Sequence, residues 1–529
     1  MTFLRFLPMG EAAVLVELEH PSDATGLQLL LRNAALPGVI DVVGAAQTVL
    51  VTAETPAALR AAVRWIRRAD LGVAAPSSAG ATLTLETVYD GDDLTDAARH
   101  AGVSSDALVA WHSGQEWVAA FGGFAPGFMY LSPTQTPISM PRRASPRTVV
   151  PAGSVALGGG FSAVYPGPSP GGWQLIGRVG ESLWDPERTI PALVQPGDRV
   201  RFRPVREVAV VSRHRATPVA EAGRGAAAER DSAGHRLRGF RVLSPGPHTT
   251  VQDLGRPGLA HLGLTASGAL DRAALRRANR LVGNPGVGTG DAGLEIVAGA
   301  LALQAVGSQI VAVTGSGTQW VTVSGGLENA TPSGTPIQLR DGDTLLMRPD
   351  AATGFRSYLA VRGGLDVPAV LGSRSTDALS GTGPAPLSAG MFLPVAAAHA
   401  GAVGFPEPEP PPGDGVTVLR FISGPREDWF TPDSVAAFRS QDWTVTAQSN
   451  RVGLRLDGVA LELARKGELP SEGMVAGAIQ LPPSGLPVLF LADHPVTGGY
   501  PVIGVVLRAD LDKAAQLAPG ARMAFRAVP

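Results

Sequence analysis

Short apolar runs, separated by glycine and proline, make up most of this chain. Near its beginning, Ala12–Leu18, Val39–Val43 and Thr48–Thr52 have the length and apolar content of strands. Thr55 and Pro56 then fit the N-cap and the first position of a helix. The pattern predicts a small α+β domain with a ferredoxin-like arrangement.

Beyond this region, the strand-like runs become shorter and turns become more frequent. Two segments have helical character instead. The first is Asp93–Ser113, and the second is Ala269–Val282, where apolar residues recur at helical spacing and Gly283 follows as a stop signal. The remaining pattern predicts a mainly β fold.

One motif pattern occurs twice, in the same order and with similar spacing. Its three dipeptides are Ala152-Gly153, Gly171-Gly172 and Pro196-Gly197 in the first copy, and Ala476-Gly477, Gly498-Gly499 and Pro519-Gly520 in the second. Such glycines serve turns and close backbone approaches. The first closing turn is followed by Arg199–Arg203, an amphipathic strand with Val200 and Phe202 facing inward. The repetition predicts two related β-barrel units.

Composition narrows the class of protein. The 66 glycines and 45 prolines fit a turn-rich β architecture. The absence of cysteine excludes disulfides, thiolate zinc sites and a cysteine nucleophile. Lysine occurs only at Lys466 and Lys513, so cationic roles fall mainly to arginine.

Charge and hydropathy predict the cellular location of the protein and the classes of partner that it does not bind. A net charge of −2 shows no excess of basic residues of the kind that binds nucleic acid or an anionic membrane. No apolar run reaches the roughly 18 residues that a membrane span needs. The N-terminal residues lack the pattern of a signal peptide. We therefore expect a cytoplasmic protein that contacts neither nucleic acid nor membranes.

Two segments without periodicity predict domain boundaries. Residues 209–237 are polar and rich in alanine and arginine, which is typical of an interdomain linker, and residues 406–415 form a stiff proline-rich spacer. The predicted domains are an α+β domain at 1–78, a barrel at 79–208, a first β subdomain at 238–405 and a second barrel at 416–529.

The first dense motif is GGFAPGFMYL, followed by VPAGSVALGG and YPGPSPGGWQLIG. Rigid loops beside large rings predict a cleft, with arginine for an anion, hydroxyls for an amide and rings for shape. The candidates are His112 and Arg147 as catalytic residues, and Phe128, Tyr130, Ser154, Tyr165, Ser169 and Trp173 as substrate-binding residues. The alternative is that the rings are ordinary barrel core and His112 is a satisfied polar residue.

The second dense motif begins TTVQDLGRPG and runs into the second predicted helix. Gln252, Asp253 and Arg256 form a polar cluster in a predicted loop. Ser267 and Asp271 lie at the helix start, where free N–H groups attract anions. The alternative for Asp271 is that it caps the helix.

Two further segments carry candidate polar groups. Arg362 and Arg374, with Ser375, fit an anion site, although arginines of this kind also form surface salt bridges. A second polar cleft is predicted from Arg451, Arg455, Gln480, Asp493 and Tyr500. The residues predicted to be catalytic in this half are Gln252, Asp253, Arg256, Asp271 and Arg451.

Several motifs with known chemistry are missing from the sequence. It has no P-loop, no His-Glu-x-x-His zinc helix, no Gly-x-Ser-x-Gly elbow and no biotinyl Met-Lys-Met site. We therefore predict no set of protein ligands for a resident metal.

The motifs resemble those of the allophanate hydrolase subunit 1 and subunit 2 families, also described as the B and C subunits of 5-oxoprolinase and as Kip-type proteins. Residues 1 to about 205 resemble the B subunit in GFAPGFMYL, PRTVVPAGSVALGG and SPGGWQLIG. Residues 238–529 resemble the C subunit in TVQDLGRPG, SGALDRAALRRANRLVGN, VRGGLDVPAVLGSRST, SNRVGLRL and GGYPVIG. The chain thus resembles a fusion of the two proteins.

The resemblance implies cyclophilin-like β-barrels and a role beside a separate 5-oxoprolinase A subunit, which together open 5-oxoproline to glutamate with ATP. It implies a small amide substrate and ATP with Mg²⁺ as cofactors. Phosphoryl transfer here and ring opening on the partner would divide the reaction, with arginines and Mg²⁺ stabilising the transferring group. Assembly into a homo-oligomer is left open.

Two other functions remain open at this point. The first is a biotin-dependent carboxyltransferase-like component acting on a urea or amide substrate, with biotin arriving on another protein. The second is a non-catalytic Kip-type regulator of a histidine kinase. Direct allophanate hydrolysis needs an amidase-type Ser-Lys site, and neither lysine lies in such a setting.

Overall fold

A computed structural model describes most of the chain as four β-rich parts. The described ranges are 4–69, 80–143, 145, 147–208, 238–285, 291–297, 301–316, 319–348, 355–397, 401–407, 415–465, 467 and 469–528. The predicted linker at 209–237 and most of the spacer at 406–415 lie outside these ranges. The four parts follow one another along the chain.

The N-terminal part is a four-stranded antiparallel sheet with two helices. Its elements are β1 (Leu4–Pro8), β2 (Ala13–Leu18), α1 (Pro21–Ala34), β3 (Val39–Gly44), β4 (Thr48–Ala53) and α2 (Pro56–Ile66). The sheet order is β1-β2-β4-β3. This is the ferredoxin-like arrangement that was predicted, except that the edge strand β1 precedes the βαββα unit instead of following it. Thr55 caps α2 by accepting a hydrogen bond from the Ala58 N–H at 3.2 Å.

Both faces of this sheet are buried, which explains the almost continuous apolar sequence of β2. Val14 and Val16 pack under α1 and α2, whereas Ala13 and Leu15 face the last part of the chain. Complete burial of a large aliphatic side chain contributes about 1.5–3 kcal/mol. This second apolar face therefore attaches the N-terminal domain to the C-terminal barrel.

The second part is a closed barrel of seven strands. Its elements are β5 (Thr82–Val88), α3 (Leu94–Ala101), α4 (Ser105–Ser113), β6 (Trp117–Gly122), β7 (Met129–Pro133), β8 (Arg147–Val150), β9 (Ser154–Gly158), β10 (Phe161–Val164), β11 (Ser169–Gly171), β12 (Gln174–Val179) and β13 (Arg199–Pro204). The order around the barrel is β5-β12-β9-β10-β7-β6-β13, and β8 pairs with β11 in a separate ribbon. Val200 and Phe202 point into the core, as predicted.

The segment Asp93–Ser113, predicted to have helical character, is helical in two separate pieces. Two helices occupy this region, because Gly102 takes a left-handed conformation (φ +70°) that ends α3. Ser104 then starts α4 by accepting a hydrogen bond from the Ala107 N–H. The break lets the two helices turn against the barrel separately.

The third part consists of two sheets that enclose a common apolar core. Its elements are β14 (Gly239–Pro245), β15 (His248–Gln252), a 3-10 turn (Ala260–Leu262), α5 (Arg272–Leu281), β16 (Gly293–Val297), β17 (Leu301–Val306), β18 (Gln309–Gly315), β19 (Gln319–Ser324), β20 (Leu327–Thr331), β21 (Ile337–Leu339), β22 (Thr344–Arg348), β23 (Arg356–Val361) and β24 (Phe392–Pro394). The strand orders are β20-β19-β22-β17-β14-β24 and β15-β16-β23-β18-β21. Helix α5 covers the outer face of the second sheet.

The fourth part is a second closed seven-stranded barrel. Its elements are β25 (Thr417–Ser423), a 3-10 turn (Glu427–Trp429), α6 (Pro432–Ser440), β26 (Asp442–Val445), β27 (Gly453–Asp457), β28 (Glu472–Gly473), β29 (Ala478–Gln480), β30 (Val488–Phe490), β31 (Thr497–Gly498), β32 (Val502–Val506), α7 (Arg508–Ala515) and β33 (Arg522–Ala527). The order is β25-β32-β29-β30-β27-β26-β33, with β28 and β31 as a ribbon.

The two barrels confirm the predicted repeat strand for strand. In each barrel the first and last strands pair in parallel, β5 with β13 and β25 with β33. The repeated glycines take matching left-handed conformations, with φ of +80° at Gly153 and +91° at Gly477. These are the cyclophilin-like barrels that the resemblance implied.

A half-buried carboxylate lies where the N-terminal sheet meets the C-terminal half. Asp41 accepts hydrogen bonds from the backbone N–H groups of Gly258 and Ala260, both at 3.1 Å. Burial nevertheless raises the pKa of Asp41 to about 6. The proton on this carboxyl group is thus held more tightly in the folded than in the unfolded chain.

This shift predicts a specific pH dependence. An aspartate in an unfolded chain has a pKa of about 3.9, so between about pH 4 and pH 6 the unfolded state loses this proton first and stability falls as the pH rises. Asp41→Asn is expected to remove this component, whereas Asp106→Asn, at an exposed position, should keep it. Urea unfolding across this pH window measures the stability of both variants. If Asp41→Asn and the parent showed the same dependence of stability on pH, the raised pKa of Asp41 would be contradicted.

Candidate functional sites

One candidate site is a cluster of aromatic rings on the first barrel. Phe128, Tyr130, Tyr165 and Trp173 are all buried. The Phe128 ring makes edge-to-face contacts with the other three, with centroid distances of 5.2, 5.3 and 5.6 Å. The structure brings all four together, but as part of a hydrophobic core cluster, which was the alternative interpretation of these rings.

The aromatic cluster carries polar groups from both barrels. Burial raises the pKa of Tyr130, while its hydrogen bonds with Ser471 and Thr497 from the second barrel act in the opposite direction. Burial also raises the pKa of Tyr165 to about 12. Both phenols therefore stay protonated at neutral pH and can donate hydrogen bonds. The hydroxyl of Ser169 is buried and has no partner within the described ranges.

Arg147 is part of a rigid ion pair instead of a free cation in this cleft. Its Nη1 and Nη2 atoms donate to the two oxygens of Asp93 at 2.7 and 2.9 Å, and Arg143 donates to the same carboxylate at 2.5 Å. The Leu175 N–H adds a further bond at 2.8 Å. Burial acts to raise the pKa of Asp93, but these donors outweigh it, and the net pKa is below its ordinary value.

The free cation beside the cleft is a residue that the sequence did not single out. Arg142 is exposed, makes no ion pair with any described carboxylate, and acts electrostatically on both Tyr130 and Tyr165. The string PRRASPR contains three arginines, and nothing in it shows which of them is left unpaired. In the structure, the role predicted for Arg147 at an anion fits Arg142 better.

His112 lies in the core of the first barrel, not in the cleft. Its Nε2 and Nδ1 atoms form hydrogen bonds with the hydroxyls of Ser162 at 2.8 Å and Tyr89 at 2.7 Å. Burial lowers the pKa of His112 to about 3, so the ring is neutral. Its ring also packs 4.4 Å from that of Phe202. The His112 ring is completely buried and both of its nitrogens are hydrogen-bonded. The prediction that His112 is catalytic is therefore corrected, and His112 is not part of the candidate site.

Ser154 is also committed to the fold. Its hydroxyl donates to the carbonyl oxygen of Pro151 at 2.8 Å, and only a small part of the residue is exposed. This bond fixes the turn before β9. The predicted substrate contact of Ser154 therefore has no support from its geometry.

A second candidate site is a buried ionic network centred on Arg451. The guanidinium donates to Glu295 at 2.5 Å, to Asp493 at 2.8 Å and to the carbonyl oxygen of Gly268 at 2.7 Å. All three charged residues are almost completely buried. Because Glu295 lies on β16 and the other two lie in the second barrel, the network joins the third and fourth parts of the chain.

The two carboxylates of this network are fully hydrogen-bonded. Glu295 accepts bonds from the Tyr358 hydroxyl and the Leu270 N–H, both at 2.9 Å. Asp493 accepts one from Ser267 at 2.6 Å. Burial acts to raise the pKa of Glu295, but Arg451 and Arg356 outweigh it, so the net pKa is lowered and the group stays ionised. Charge is thus fixed beside Ser267, which adopts a left-handed φ of +54° that is unusual for serine.

The loop after β15 is held by Asp253. This side chain accepts hydrogen bonds from the hydroxyls of Ser373 and Ser375 at 2.6 Å each, and from the Arg374 N–H at 2.7 Å. Gln252 donates to the carbonyl oxygen of Thr376 at 2.9 Å. The polar cluster predicted here therefore exists, and its bonds mainly hold the loop in shape.

Arg256 is the member of this cluster with unused donors. It is buried and donates to the carbonyl oxygen of Ser375, while its Nε and Nη1 atoms have no partner within the described ranges. Burial lowers the pKa of Arg256. Of the catalytic residues predicted in this loop, only Arg256 has side-chain donors without a partner in the described ranges, and both are buried.

Other predicted site residues form hydrogen bonds that stabilise the fold. Asp271 caps α5 by accepting from the Ala274 N–H at 2.8 Å, which was the alternative interpretation. Arg362 donates to the carbonyl oxygen of Val282 at 2.9 Å, at the end of the same helix. Arg374 donates to the carbonyl oxygen of Val367 at 2.7 Å. These contacts correct the prediction that Arg362 and Arg374 form an anion site.

The second polar cleft is also not assembled as predicted. Arg451 and Asp493 meet, but Arg455 is exposed on β27. Gln480 donates to the carbonyl oxygen of Tyr500 at 3.1 Å, away from that ion pair. The second carboxylate that binds Arg451 comes instead from Glu295. Its signal in the sequence was a single charged residue inside the apolar strand GLEIV, where a charge is expected only if it is paired.

A cavity lies beside the Arg451 network. Its volume is about 600 Å³, and its walls come from the N-terminal sheet, the second barrel and the segment from Leu254 to the start of α5, including Ser267. In the described ranges no three His, Cys, Asp or Glu side chains gather as a metal site. The helices described are too short or too polar to cross a bilayer.

Comparison with known proteins covers almost the whole chain. The family model for the carboxyltransferase domain, subdomain C and D, matches residues 4–194, and that for subdomain A and B matches residues 262–527. The chain is 39% identical over 211 residues to the B subunit of 5-oxoprolinase from Escherichia coli O157:H7, covering 38% of this chain and 95% of that protein. It is 36% identical over 296 residues to the C subunit of 5-oxoprolinase from Escherichia coli K12, covering 54% of this chain and 90% of that protein.

A solved structure matches the complete architecture. The crystal structure of TTHA0988 superposes with a TM-score of 0.82 at 32% identity, covering 99% of this chain and 100% of the other. All four parts described above thus occur together in another single chain.

Proposed function

This chain belongs to the carboxyltransferase-domain family that includes the B and C subunits of 5-oxoprolinase, and we propose that it is the B–C component of an ATP-dependent 5-oxoprolinase. One observation carries the proposal. The chain spans nearly the full length of a B subunit and then of a C subunit, in that order. The interaction of Tyr130 with Ser471 and Thr497 supports it, because the last part of the chain meets the aromatic cluster of the first barrel.

The proposed reaction is activation of a poor electrophile. The amide oxygen of 5-oxoproline forms a bond to the γ-phosphorus of ATP, the bond to the β–γ bridging oxygen breaks, and ADP leaves. The ring carbon then accepts water more readily. On the A subunit the C–N bond of this adduct breaks, and the ring nitrogen takes up a proton and becomes the free amine. A second water then hydrolyses the resulting acyl phosphate to glutamate and phosphate. The role of this chain is to align the two substrates and to offset the charge of the transferring group.

The residues present fit such a role. Arg142 is exposed and has no ion pair with a described carboxylate, so its guanidinium group is available for phosphate oxygens. Arg256 also keeps two donors without a partner in the described ranges, but both are buried. Mg²⁺ in phosphoryl-transfer sites is usually held by one or two carboxylates together with the phosphates. The lack of a larger acidic cluster in the described ranges is compatible with that arrangement. We place this reaction in the cytoplasm, where ATP is available.

A complementation experiment tests the proposal in cells. In Escherichia coli lacking its own B and C subunits but retaining the A subunit, expression of this chain should restore consumption of 5-oxoproline. The same chain in a strain that lacks only the A subunit should not restore it. Failure in the first strain, with the protein present in soluble form, would count against the assignment.

A second candidate function is biotin-dependent carboxyl transfer, favoured by the description of the matching family models. In that case biotin on another protein would deliver the carboxyl group to a urea or amide substrate. Capture of a biotinylated carrier protein, with no dependence on ATP, would favour this candidate over the first.

A further inference from the structure

The cavity of about 600 Å³ exists only because the two halves of the chain meet. Val43 and Leu50 of the N-terminal sheet form one side, and Met474, Val496 and Val505 of the second barrel form the other. All five are buried apolar residues of one shared cluster. Its size is in the range of small-molecule sites, which are commonly about 300–1,000 Å³. The floor of this cavity therefore suits a carbon skeleton.

Three arginines give the cavity a cationic side. They are Arg272 and Arg276 on α5 and Arg508 at the start of α7. Arg276 is exposed and, like the other two, forms no ion pair with a described carboxylate. Arg272 donates to the carbonyl oxygen of Leu254 at 2.7 Å, and Arg508 donates to that of Ala53 at 3.0 Å.

Acidic groups also line this cavity. Asp512 accepts the backbone N–H of Arg272, and Glu11 accepts that of Arg508, both at 2.9 Å. Burial lowers the pKa of Arg272, and the neighbouring Arg276 and Arg508 act in the same direction. Asp41 also lines the cavity, so three carboxylates accompany the three guanidinium groups. Arg276 is nevertheless exposed and has no ion pair with a described carboxylate, so its guanidinium group remains available to an anion.

The wall also contains a hydrogen-bond acceptor. The ring of His494 is buried, and burial lowers its pKa, so it is neutral. Its Nδ1 contacts the carbonyl oxygen of Pro495 at 2.8 Å and must carry the proton of the neutral ring. The other ring nitrogen, Nε2, is thereby an acceptor that suits an N–H donor.

We propose that this junction cavity binds a small organic carboxylate, with its carboxylate at the arginine side and its carbon skeleton on the apolar floor. An N–H group on the ligand would match the acceptor of His494. Naming 5-oxoproline as such a ligand rests on the proposed function, since that ring combines a carboxylate, an amide N–H and three apolar carbons. Neither half of the chain has this site alone, so joining the halves creates it.

Calorimetric titration of the full chain tests the site with three related probes. 5-Oxoproline has both the carboxylate and the lactam, cyclopentanecarboxylate has only the carboxylate, and 2-pyrrolidinone has only the lactam. Both carboxylates should bind, and Arg276→Gln should weaken each about tenfold, which corresponds to one lost charge-assisted hydrogen bond. 2-Pyrrolidinone should bind more weakly than either carboxylate.

Two control variants separate a local from a general effect. Arg60→Gln removes another exposed arginine, on α2 and outside the cavity, and should leave both affinities unchanged. Arg276→Lys keeps the charge and should recover part of the loss. Equal affinities in Arg276→Gln and the parent chain would overturn the proposal, as would binding of inorganic phosphate when neither carboxylate binds.

The outcome can be separated from that of the proposed function. If the chain bound carboxylates in a way that depends on Arg276 and yet formed no glutamate with the A subunit, that result would contradict the proposed function and leave the cavity assignment intact. Glutamate formation with a KM for 5-oxoproline that does not change in Arg276→Gln would remove the cavity assignment alone.

Discussion

Replacing Arg451 with methionine is expected to lower the free energy of unfolding by about 3–5 kcal/mol. The change leaves the carboxylates of Glu295 and Asp493 buried without the cation that offsets both. Desolvation of an unpaired charge is costly, and two like charges near each other add to the cost. Urea unfolding followed by circular dichroism should show a transition midpoint at clearly lower urea.

The adjoining strand offers a matched control for this variant. Arg455 is exposed on β27, four residues after Arg451, and its side chain has no ion pair with a described carboxylate. Arg455→Met should change stability by no more than about 0.5 kcal/mol, as is usual for exposed positions. Equal midpoints for the two variants would show that the buried network does not hold the third and fourth parts together.

Replacing Asp93 with asparagine should lower stability by about 1.5–3 kcal/mol, the range for hydrogen bonds to charged groups. The carboxylate is shared by Arg143, Arg147 and the Leu175 N–H, and asparagine offers only one acceptor oxygen and no charge. Because both arginines are partly exposed, the cost stays below that of a fully buried pair.

The same variant has a predicted pH signature. The pKa of Asp93 is lowered in the folded state, so its contribution to stability is present above the unfolded value of about 3.9 and is lost as the pH falls through the folded value. The difference between Asp93→Asn and the parent should therefore shrink in acid. Asp96→Asn, which breaks only an exposed pair with Arg99, should lie within about 0.5 kcal/mol of the parent at every pH. If Asp96→Asn lowered stability as much as Asp93→Asn does, the role assigned to the Asp93 ion pair would be refuted.

The parts of the fold that the sequence could predict are those set by local chemistry. Three of the four N-terminal strands and the cap at Thr55 were predicted to within one residue, because apolar content and capping act over a few neighbours. The two barrels followed from repeated turn dipeptides, which need particular backbone conformations. The position of β1 at the sheet edge was not predictable in this way, because it depends on which strands pair in space.

The same distinction applies to the candidate sites. The aromatic cluster was predictable because its rings are concentrated in two motifs, although the sequence did not show that they are buried in a core. Glu295 was missed because its partner Arg451 is 156 residues away, and no local pattern links them. His112 was misassigned for the same reason, since the Phe202 ring that encloses it comes from the last strand of the barrel. Sequence patterns identify polar residues, but only the folded chain decides which of them remain free.

The central claim is that this chain activates 5-oxoproline for a separate A subunit. Its most direct test is to incubate the purified chain with ATP, Mg²⁺ and 5-oxoproline, with and without purified A subunit, and to quantify ADP and glutamate. The account predicts glutamate only when both proteins are present, with at least one ADP formed for each glutamate. Absence of both products with the folded chain and an active A subunit, or glutamate formation without ATP, would contradict it.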